Sequence, residues 1–446
     1  MDDLLIHNAW VVTANSAWVV IPKGMIGIRG DVITHVGPEP AGRKRPDARA
    51  SIDADGGIVL PGLVNAHTHL PMTLFRGLAD DLPLMTWLEE HIFPAEAAHI
   101  TPETVHWGTL LGCAELLLAG VTTCCDGYFH EDAVARAVAA TGLRAVLGQG
   151  VIDYPAPGVP DPSRNVAVAA DYVRKWQNRS PLITPSIFCH SPYTCGDDTL
   201  AQAKEAAAAA GVLFQIHVAE TREEGDVSNG NDRRESPIAR LNRLDLLDES
   251  TLLVHGVWLT PEDVAAVARK GCGIAHCPES NMKLAAGIAP VPAFLEAGIP
   301  VGLGTDGCAS NNDLDLLREM DTAAKLHKIA GNDPTILPAS RALAMATCEG
   351  ARVIGLEEHI GSIEAGKQAD LVILDSSLPA LCPVFNPVSQ AVYVGSGDAV
   401  RDTIVAGRVR VRNHCLVDGD IAAVMARVQA IARTIRDAGP QKGCSS

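Results

Sequence analysis

The spacing of apolar and polar positions divides the chain into three stretches of different character. In the first sixty residues, short runs typical of β-strands, such as 4–8 and 25–29, are separated by Gly and Pro turns. Over residues 101–350, helical stretches rich in Ala and Leu alternate with brief apolar runs. After Gly361 the pattern returns to β, and residues 421–438 predict a closing amphipathic helix.

The middle stretch predicts an α/β fold with a barrel of parallel strands. Its brief apolar runs have the length of buried strands, and they lie at residues 143–147, 183–188, 212–218, 251–254, 273–275 and 301–303. Repeated alternation of strand and helix implies parallel βα units, and about eight such units close into a barrel. The later β runs are predicted at 369–375, 391–394 and 400–411, and they could pair with the first sixty residues. One small β domain would then be built from both ends of the chain.

Composition and charge exclude several classes of protein. Hydrophobic residues make up 47% of the 446 positions and charged residues 20%, which is ordinary for a globular protein. The net charge of −17 argues against a nucleic-acid partner, because phosphate backbones are bound by clustered Lys and Arg. No apolar run is long enough to span a bilayer, and Met1, Asp2 and Asp3 lack the positive start of a secretory signal. We therefore expect a cytoplasmic protein with a small substrate, neutral or cationic, and no membrane partner.

Two histidines at the end of an apolar run are the first candidates for chemistry. His67 and His69 stand one residue apart after the run at 59–64, and a strand sends alternate side chains to the same face. Both imidazoles can therefore reach one point in space. Alone, the pair is weak evidence for a metal site, since in a chain with 15 histidines two nearby ones can be ordinary loop residues.

Further polar residues follow the later strand runs, where a barrel brings side chains together at one mouth. A single histidine at a strand end is more often structural than a ligand, but five strand ends here carry His or Asp. The residues after these later runs are His190, His217 with Glu220, His255 and Asp306. Three imidazoles and one carboxylate suit a divalent transition metal such as zinc, with a position left for water. We therefore predict His67, His69, His217 and Asp306 as the metal ligands.

Three sequence runs resemble the amidohydrolase superfamily: residues 61–69, 217–220 and 304–312. The similarity continues through residues 361–371, so that it covers nearly the whole chain. The resemblance implies a distorted (β/α)8 TIM barrel over 60–361, with a small β-sandwich built from 1–59 and 362–446. Binuclear members bridge two metals with a Lys or Glu from the fourth strand, and residues 184–190 contain neither. One divalent ion is expected, with zinc favoured and iron or manganese as alternatives.

The chemistry expected of such a site is hydrolysis. A bound divalent metal lowers the pKa of water to about 7. Asp306 would accept the proton of this water, and His255 would orient the nucleophile and stabilise the developing oxyanion. The resemblance implies that Glu220 protonates a ring nitrogen next to an amidine-like carbon, from which ammonia leaves. As an alternative, Glu220 is a solvated residue of a helix start beside Glu223 and Glu224.

Five further parts of the sequence restrict the class of substrate. They are residues 69–84, Trp87, and residues 93–96, 190–193 and 310–312. These segments resemble the methylthioadenosine/S-adenosylhomocysteine deaminase family, in the ATZ/TRZ-like branch of the superfamily. The resemblance implies that Glu96 holds the ribose hydroxyls and that His190 contacts the purine or ribose. Trp87 would pack near the nucleoside, or alternatively within a helix core, and Ser310 is a further candidate contact. The expected reaction converts an adenine nucleoside into its inosine derivative and ammonia.

The 5′ group of the nucleoside is left open. Members that accept the amino-acid tail of S-adenosylhomocysteine carry an arginine where this chain has Gln149, which cannot form a charged bidentate pair with a carboxylate. Arg164 is either a replacement for that charge or an ordinary residue of a surface loop. Methylthioadenosine, 5′-deoxyadenosine and adenosine are therefore favoured over S-adenosylhomocysteine.

Two other functions are retained as alternatives at this point. The same metal site would serve a related amidohydrolase acting on guanine or a triazine, for which Glu96 would have no ribose to hold. A metal-free scaffold protein is the alternative from a different class. For assembly, the resemblance implies a homodimer or a homotetramer.

Overall fold

The computed structural model describes residues 1–41, 45–226 and 235–437. Within these residues the strands are, in chain order, β1 (Asp2–Val12), β2 (Val20–Arg29), β3 (Val32–Pro38), β4 (Ala48–Asp53), β5 (Ile58–Pro61), β6 (Leu63–Thr68), β7 (Val121–Tyr128), β8 (Arg144–Val151), β9 (Ile183–Cys189), β10 (Phe214–Val218), β11 (Thr251–His255), β12 (Gly273–His276), β13 (Val301–Leu303), β14 (Leu371–Leu374), β15 (Val400–Val405), β16 (Arg408–Arg412) and β17 (Cys415–Leu416).

The α-helices of the described ranges are α1 (Leu84–Thr86), α2 (Phe93–His99), α3 (Pro102–Leu118), α4 (Glu131–Thr141), α5 (Asn165–Trp176), α6 (Asp197–Ala210), α7 (Pro237–Arg243), α8 (Pro261–Lys270), α9 (Pro278–Lys283), α10 (Val291–Glu296), α11 (Leu316–Gly331), α12 (Ala339–Met345), α13 (Cys348–Val353), α14 (Pro387–Tyr393) and α15 (Ile421–Asp437). A π-helical turn, Trp87–Ile92, joins α1 to α2. Helix α15 is the predicted closing helix, and Ala438 lies outside the described residues.

The central sheet is the predicted barrel. Strands β6 to β13 form an eight-stranded sheet in sequence order, with every neighbouring pair parallel. Its ends meet where Thr68 and Asp306 form a parallel bridge, and the backbone N–H of Asp306 donates to the carbonyl of His67 at 3.0 Å. Strand lengths range from three residues in β13 to eight in β7 and β8, which distorts the barrel. The (β/α)8 fold is confirmed.

Burial explains why these strands read as continuous apolar runs. Every residue of β10 and β11 is buried, because helices cover the outside of the barrel while side chains fill its interior. Helices α4 and α8 each end at a glycine with a positive φ, 74° at both Gly142 and Gly271. This left-handed conformation stops the helix and turns the chain into the next strand within a few residues.

The second sheet joins the two ends of the chain. It has nine strands in the order β17-β16-β15-β14-β5-β1-β2-β3, with β4 pairing to β1. Strand β14 runs antiparallel to β5, which links the C-terminal strands to the N-terminal ones. A separate apolar core lies on this sheet and contains Ile6, Ile26, Val59 and Ile373. The predicted β-sandwich from both termini is confirmed, whereas the domain boundaries near residues 60 and 361 remain predictions.

Two details of the sequence-based assignment were wrong. Residues 391–394 were predicted as β but belong largely to α14, which starts where Asn386 accepts hydrogen bonds from the N–H groups of Val388 and Ser389, with Pro387 in the first turn. Four apolar residues in a row do not distinguish a strand from a buried helix face. The second barrel strand, β7, was missed because its sequence is rich in polar residues.

Candidate active site

Four side chains converge at the C-terminal mouth of the barrel. The Nε2 atoms of His67 and His217 are 3.0 Å apart, and Oδ1 of Asp306 lies 3.6 Å from Nε2 of His67 and 3.3 Å from Nε2 of His69. One ligand atom from each of these four buried residues lies within 4.8 Å of all the others. The structure thus brings together the four residues predicted as ligands.

The local backbone explains this convergence. His67 lies in β6 and His69 just beyond it, and Nδ1 of His69 is 2.6 Å from the carbonyl oxygen of Gly127, to which it donates. That hydrogen bond leaves Nε2 of His69 facing the other ligands. Asn65 ties β6 to the end of β13, because its amide donates to the Thr305 hydroxyl at 2.7 Å and accepts from the Thr305 N–H at 3.1 Å.

Asp306 is held by several donors at once. Its Oδ2 accepts hydrogen bonds from the hydroxyls of Ser280 and Ser310, both at 2.7 Å, and its Oδ1 accepts from the N–H of Gly307 at 2.8 Å. Burial opposes ionisation of Asp306, but its contacts with the two nearby imidazoles hold its pKa well below the usual range. Asp306 is therefore an ionised carboxylate at neutral pH. Ser310, predicted as a substrate contact, both orients this carboxylate and lines the cavity.

The donor set fits a divalent metal. Burial lowers the pKa of His67 to about 4 and that of His217 well below the usual range for histidine, so both rings are neutral and present lone pairs. Two neutral ring nitrogens and a carboxylate oxygen directed at one buried point are stabilised by a cation placed between them. Imidazole and carboxylate ligands are those that zinc, iron and manganese accept.

Glu220 and His255 lie beside the ligand cluster. Oε2 of Glu220 is 3.7 Å from Nε2 of His255, whose Nδ1 is 3.1 Å from the side-chain oxygen of Asn281. Burial and the charge of Asp306 raise the pKa of Glu220 to about 8, and burial lowers that of His255. Glu220 therefore carries a proton at neutral pH, whereas His255 is neutral.

A cavity of about 550 Å³ opens over this cluster. Trp87, Glu96 and His190 line it together with Glu220 and His255, and Trp87 sits at the start of the π-helical turn. The remaining wall is largely apolar, and it includes Met72, Leu84, Leu88, Phe93, Tyr154, Tyr193 and Leu284. Among its described lining residues there is neither a lysine nor an arginine. The cavity is thus an apolar chamber with carboxyl groups and imidazoles at its inner end.

Two predicted contacts, Glu96 and His190, line the cavity and are held there by hydroxyl groups. Oε1 of Glu96 accepts a hydrogen bond from the hydroxyl of Tyr128 at 2.5 Å, and burial raises the Glu96 pKa to about 7. Nδ1 of His190 lies 2.9 Å from the hydroxyl oxygen of Thr194, and burial lowers the pKa of His190 to about 4. The substrate-binding roles of these residues stay predictions.

Gln149 and Arg164 are not brought to the cavity. Gln149 is buried in β8, where its side-chain oxygen accepts from the N–H of Glu131 at 3.1 Å and its amide donates to the carbonyl of Gly150 at 3.3 Å. Arg164 is exposed, in the short 3₁₀ turn Pro162–Arg164. Neither residue lines the chamber in which the predicted ligands and acids lie.

Sequence reasoning missed a buried pair of acids behind the site. Asp126, near the end of β7, accepts a hydrogen bond from the N–H of Leu70 at 2.5 Å, directly after the predicted ligand His69. Burial raises the pKa of Asp126 to about 6, and it raises that of its neighbour Glu131 well above the usual value. Recognition of β7 as a barrel strand would have identified Asp126 by the same strand-end argument that identified His217 and Asp306.

Comparison with known proteins finds similarity over nearly the full chain. Residues 58–410 match the family described as the amidohydrolase family. A 5-methylthioadenosine/S-adenosylhomocysteine deaminase from Syntrophobacter fumaroxidans is 44% identical over 437 residues, which cover 97% of this chain and 98% of the relative. A 5′-deoxyadenosine deaminase from Methanosarcina mazei is 41% identical, with 98% of this chain and 99% of the relative covered. The crystal structure of an adenosine deaminase from Xanthomonas campestris with bound zinc has a TM-score of 0.94 at 39% identity, and covers 98% of this chain and 99% of that one.

Proposed function

The chain belongs to the amidohydrolase family, and from this premise we propose that it catalyses the metal-dependent hydrolytic deamination of an adenine nucleoside. The products are the corresponding inosine derivative and ammonia. The observation that carries the proposal is the placement of Glu220 beside the four converging side chains, in one cavity with Glu96. The names of the relatives in Syntrophobacter fumaroxidans and Methanosarcina mazei support the same substrate class.

One divalent ion, with zinc favoured over iron or manganese, would be held by His67, His69, His217 and Asp306. The zinc in the Xanthomonas campestris structure supports this identity. When bound, such an ion supplies a water that is acidic enough to act as a nucleophile at neutral pH. A single ion also agrees with the fourth strand, β9, which offers neither a Lys nor a Glu to bridge a second one.

Side chains of the protein would carry out the proton transfers. Asp306 accepts a proton from the attacking water, and Glu220 donates one to the ring nitrogen next to the amino-bearing carbon. His255, which is neutral, orients the water through Nε2. As the tetrahedral centre collapses, the proton on Asp306 passes to the amino group, which leaves as ammonia, and the hydroxyl proton at the same carbon returns to Glu220.

Glu96 and the apolar chamber would select the nucleoside. One oxygen of Glu96 is occupied by the Tyr128 hydroxyl, which leaves the other to accept hydrogen bonds from ribose hydroxyls. An apolar wall without a described Lys or Arg suits an uncharged 5′ group better than the charged tail of S-adenosylhomocysteine. We therefore favour methylthioadenosine, 5′-deoxyadenosine or adenosine. The oligomeric state and the cytoplasmic location remain predictions; among the described helices, none is both long and apolar enough to cross a membrane.

A panel of substrates tests the proposal. Purified protein loaded with zinc is incubated with adenosine, 5′-deoxyadenosine, methylthioadenosine and S-adenosylhomocysteine, and ammonia release is measured together with the shift of the ultraviolet spectrum towards hypoxanthine. Guanine and an amino-triazine serve as substrates without ribose. We expect turnover of the nucleosides alone. Turnover of guanine or the triazine with unchanged nucleosides would favour the alternative amidohydrolase activity and contradict the proposal.

A further inference from the structure

A carboxylate outside the predicted site, that of Glu224, closes the turn that carries Glu220. Its Oε2 accepts a hydrogen bond from the N–H of Ala219 at 2.8 Å. Its Oε1 accepts from the N–H groups of Glu220 at 2.8 Å and Thr221 at 3.0 Å. Three consecutive backbone donors therefore converge on one side chain.

The path of the backbone explains the convergence. Ala219 has a φ of +50°, a left-handed conformation that reverses the chain directly after β10. Its carbonyl accepts the N–H of Trp258 at 2.9 Å, while the carbonyl of Val218 accepts the N–H of Gly256 at 3.1 Å. Successive N–H groups in such a turn form a concave site for an anion. Here the acceptor is the carboxyl group of Glu224, from the same segment.

This arrangement fixes the position of Glu220 directly after β10, the strand of the predicted ligand His217. Burial and the neighbouring Glu220 raise the pKa of Glu224 to about 7, and the three backbone N–H groups oppose this rise because they stabilise the ionised form. The three bonds hold residues 219–221 in one turn directly after β10. The Cα of Glu220 is thereby fixed relative to the metal ligands, whereas its carboxyl group remains free to face the cavity.

We propose that Glu224 is a positioning residue that sets the direction of the Glu220 carboxyl group towards the substrate. The inference rests on the proposed function, in which Glu220 delivers the proton. Glu224 acts on the reaction only through the turn, and it is absent from the residues that line the cavity. Its loss is therefore expected to lower the rate of the chemical step and to leave substrate binding largely unchanged.

Three variants test the inference. Glu224→Ala removes all three acceptor contacts, whereas Glu224→Gln keeps the shape of the side chain and one acceptor oxygen. Glu223→Ala is the matched control, because Glu223 is the adjacent residue, is exposed, and loses the same charge. For each variant, kcat and KM are measured with the best nucleoside, together with metal content and thermal midpoint.

We expect Glu224→Ala to lower kcat by about 10²-fold, the cost of a misplacement of about 1 Å caused away from the reacting atoms, with KM little changed. Glu224→Gln should recover part of this loss, and Glu223→Ala should behave as wild type. A wild-type kcat in Glu224→Ala, or an equal loss in Glu223→Ala, would overturn the inference. If Glu224→Ala does not fold, Glu224→Gln decides: a lower kcat at unchanged KM supports the inference, and a wild-type kcat overturns it.

Failure of the proposed function gives a different result. If wild type and Glu223→Ala both leave every adenine nucleoside unchanged, the proposed reaction is wrong, and the role of Glu224 is wrong with it. If both turn over the nucleoside and Glu224→Ala does so equally well, only the positioning role is wrong.

Discussion

Oε2 of Glu220 lies 3.7 Å from Nε2 of His255, and both side chains are buried at the inner end of the cavity. Burial moves the pKa values of a carboxyl and an imidazole in opposite directions, upwards for Glu220 and downwards for His255. Both groups are therefore neutral at neutral pH. The proton resides on the carboxyl group, as the proposed role of Glu220 as an acid requires.

The first prediction is a loss of activity at alkaline pH. Because the pKa of Glu220 is raised to about 8, the protonated acid is present below that pH and is lost above it. We expect kcat/KM to fall as the pH rises through about 8. Glu220→Gln should lower kcat by about 10²- to 10⁴-fold, the usual contribution of general acid–base catalysis. The measurement is the pH profile of kcat/KM, and a profile of wild type that stays flat up to pH 10 would contradict the assignment.

The second prediction concerns Asp306, whose carboxylate accepts hydrogen bonds from Ser280, Ser310 and the N–H of Gly307. Asp306→Asn keeps the shape of the side chain but removes the base, so kcat should fall by at least about 10²-fold. Asp313→Asn is the control, because Asp313 lies on the same loop and pairs with Arg318 towards solvent. Retention of most activity in Asp306→Asn would show that another group accepts the proton.

Most residues of the candidate site could be predicted from the sequence because they follow apolar runs. His217 and His255 lie at the C-terminal ends of buried strands, and Asp306 follows a third, so a rule about strand ends identifies them without knowledge of the register. The same rule failed at Asp126, since the polar residues of β7 hide its burial.

Contacts that depend on the path of the backbone could not be predicted from the sequence. The role of Glu224 requires the positive φ of Ala219, which the sequence does not indicate. The direction of the Gln149 side chain depends on the register of β8 against its neighbours, so its distance from the cavity became apparent only in the structure.

The third prediction is that metal removal abolishes turnover and lowers thermal stability. The Nε2 atoms of His67 and His217 face one another at 3.0 Å, and a cation held between them favours the folded state. At a free metal concentration of about 1,000 times Kd, the stabilisation amounts to roughly 4 kcal/mol. The thermal midpoint is measured after chelation and again after zinc, iron or manganese is added. Mg²⁺ is the control, since it prefers oxygen ligands, and undiminished activity without stoichiometric metal would contradict the assignment.

The fourth prediction tests the contact of Glu96 with ribose. Glu96→Gln retains the shape of the side chain but replaces one carboxyl oxygen with an NH2 group, which cannot accept a hydrogen bond from a hydroxyl. We expect kcat/KM for adenosine to fall by roughly 10- to 100-fold. With 2′,3′-dideoxyadenosine, which lacks both hydroxyls, wild type and Glu96→Gln should be equally slow. An equal loss of activity on both substrates would indicate a general structural effect in place of ribose recognition.

The last prediction decides whether Arg164 serves the 5′ group. Arg164 is exposed in the turn Pro162–Arg164 and does not line the cavity, and Gln149 is committed to the N–H of Glu131 and the carbonyl of Gly150. A carboxylate on the 5′ group would therefore enter an apolar chamber whose described lining residues include no Lys or Arg, at the cost of its desolvation. Methylthioadenosine should give a higher kcat/KM than S-adenosylhomocysteine, and Arg164→Ala should change neither value by more than about twofold, as is usual for surface substitutions. A selective loss of S-adenosylhomocysteine turnover in Arg164→Ala would instead show that the arginine reaches the carboxylate when the substrate is bound.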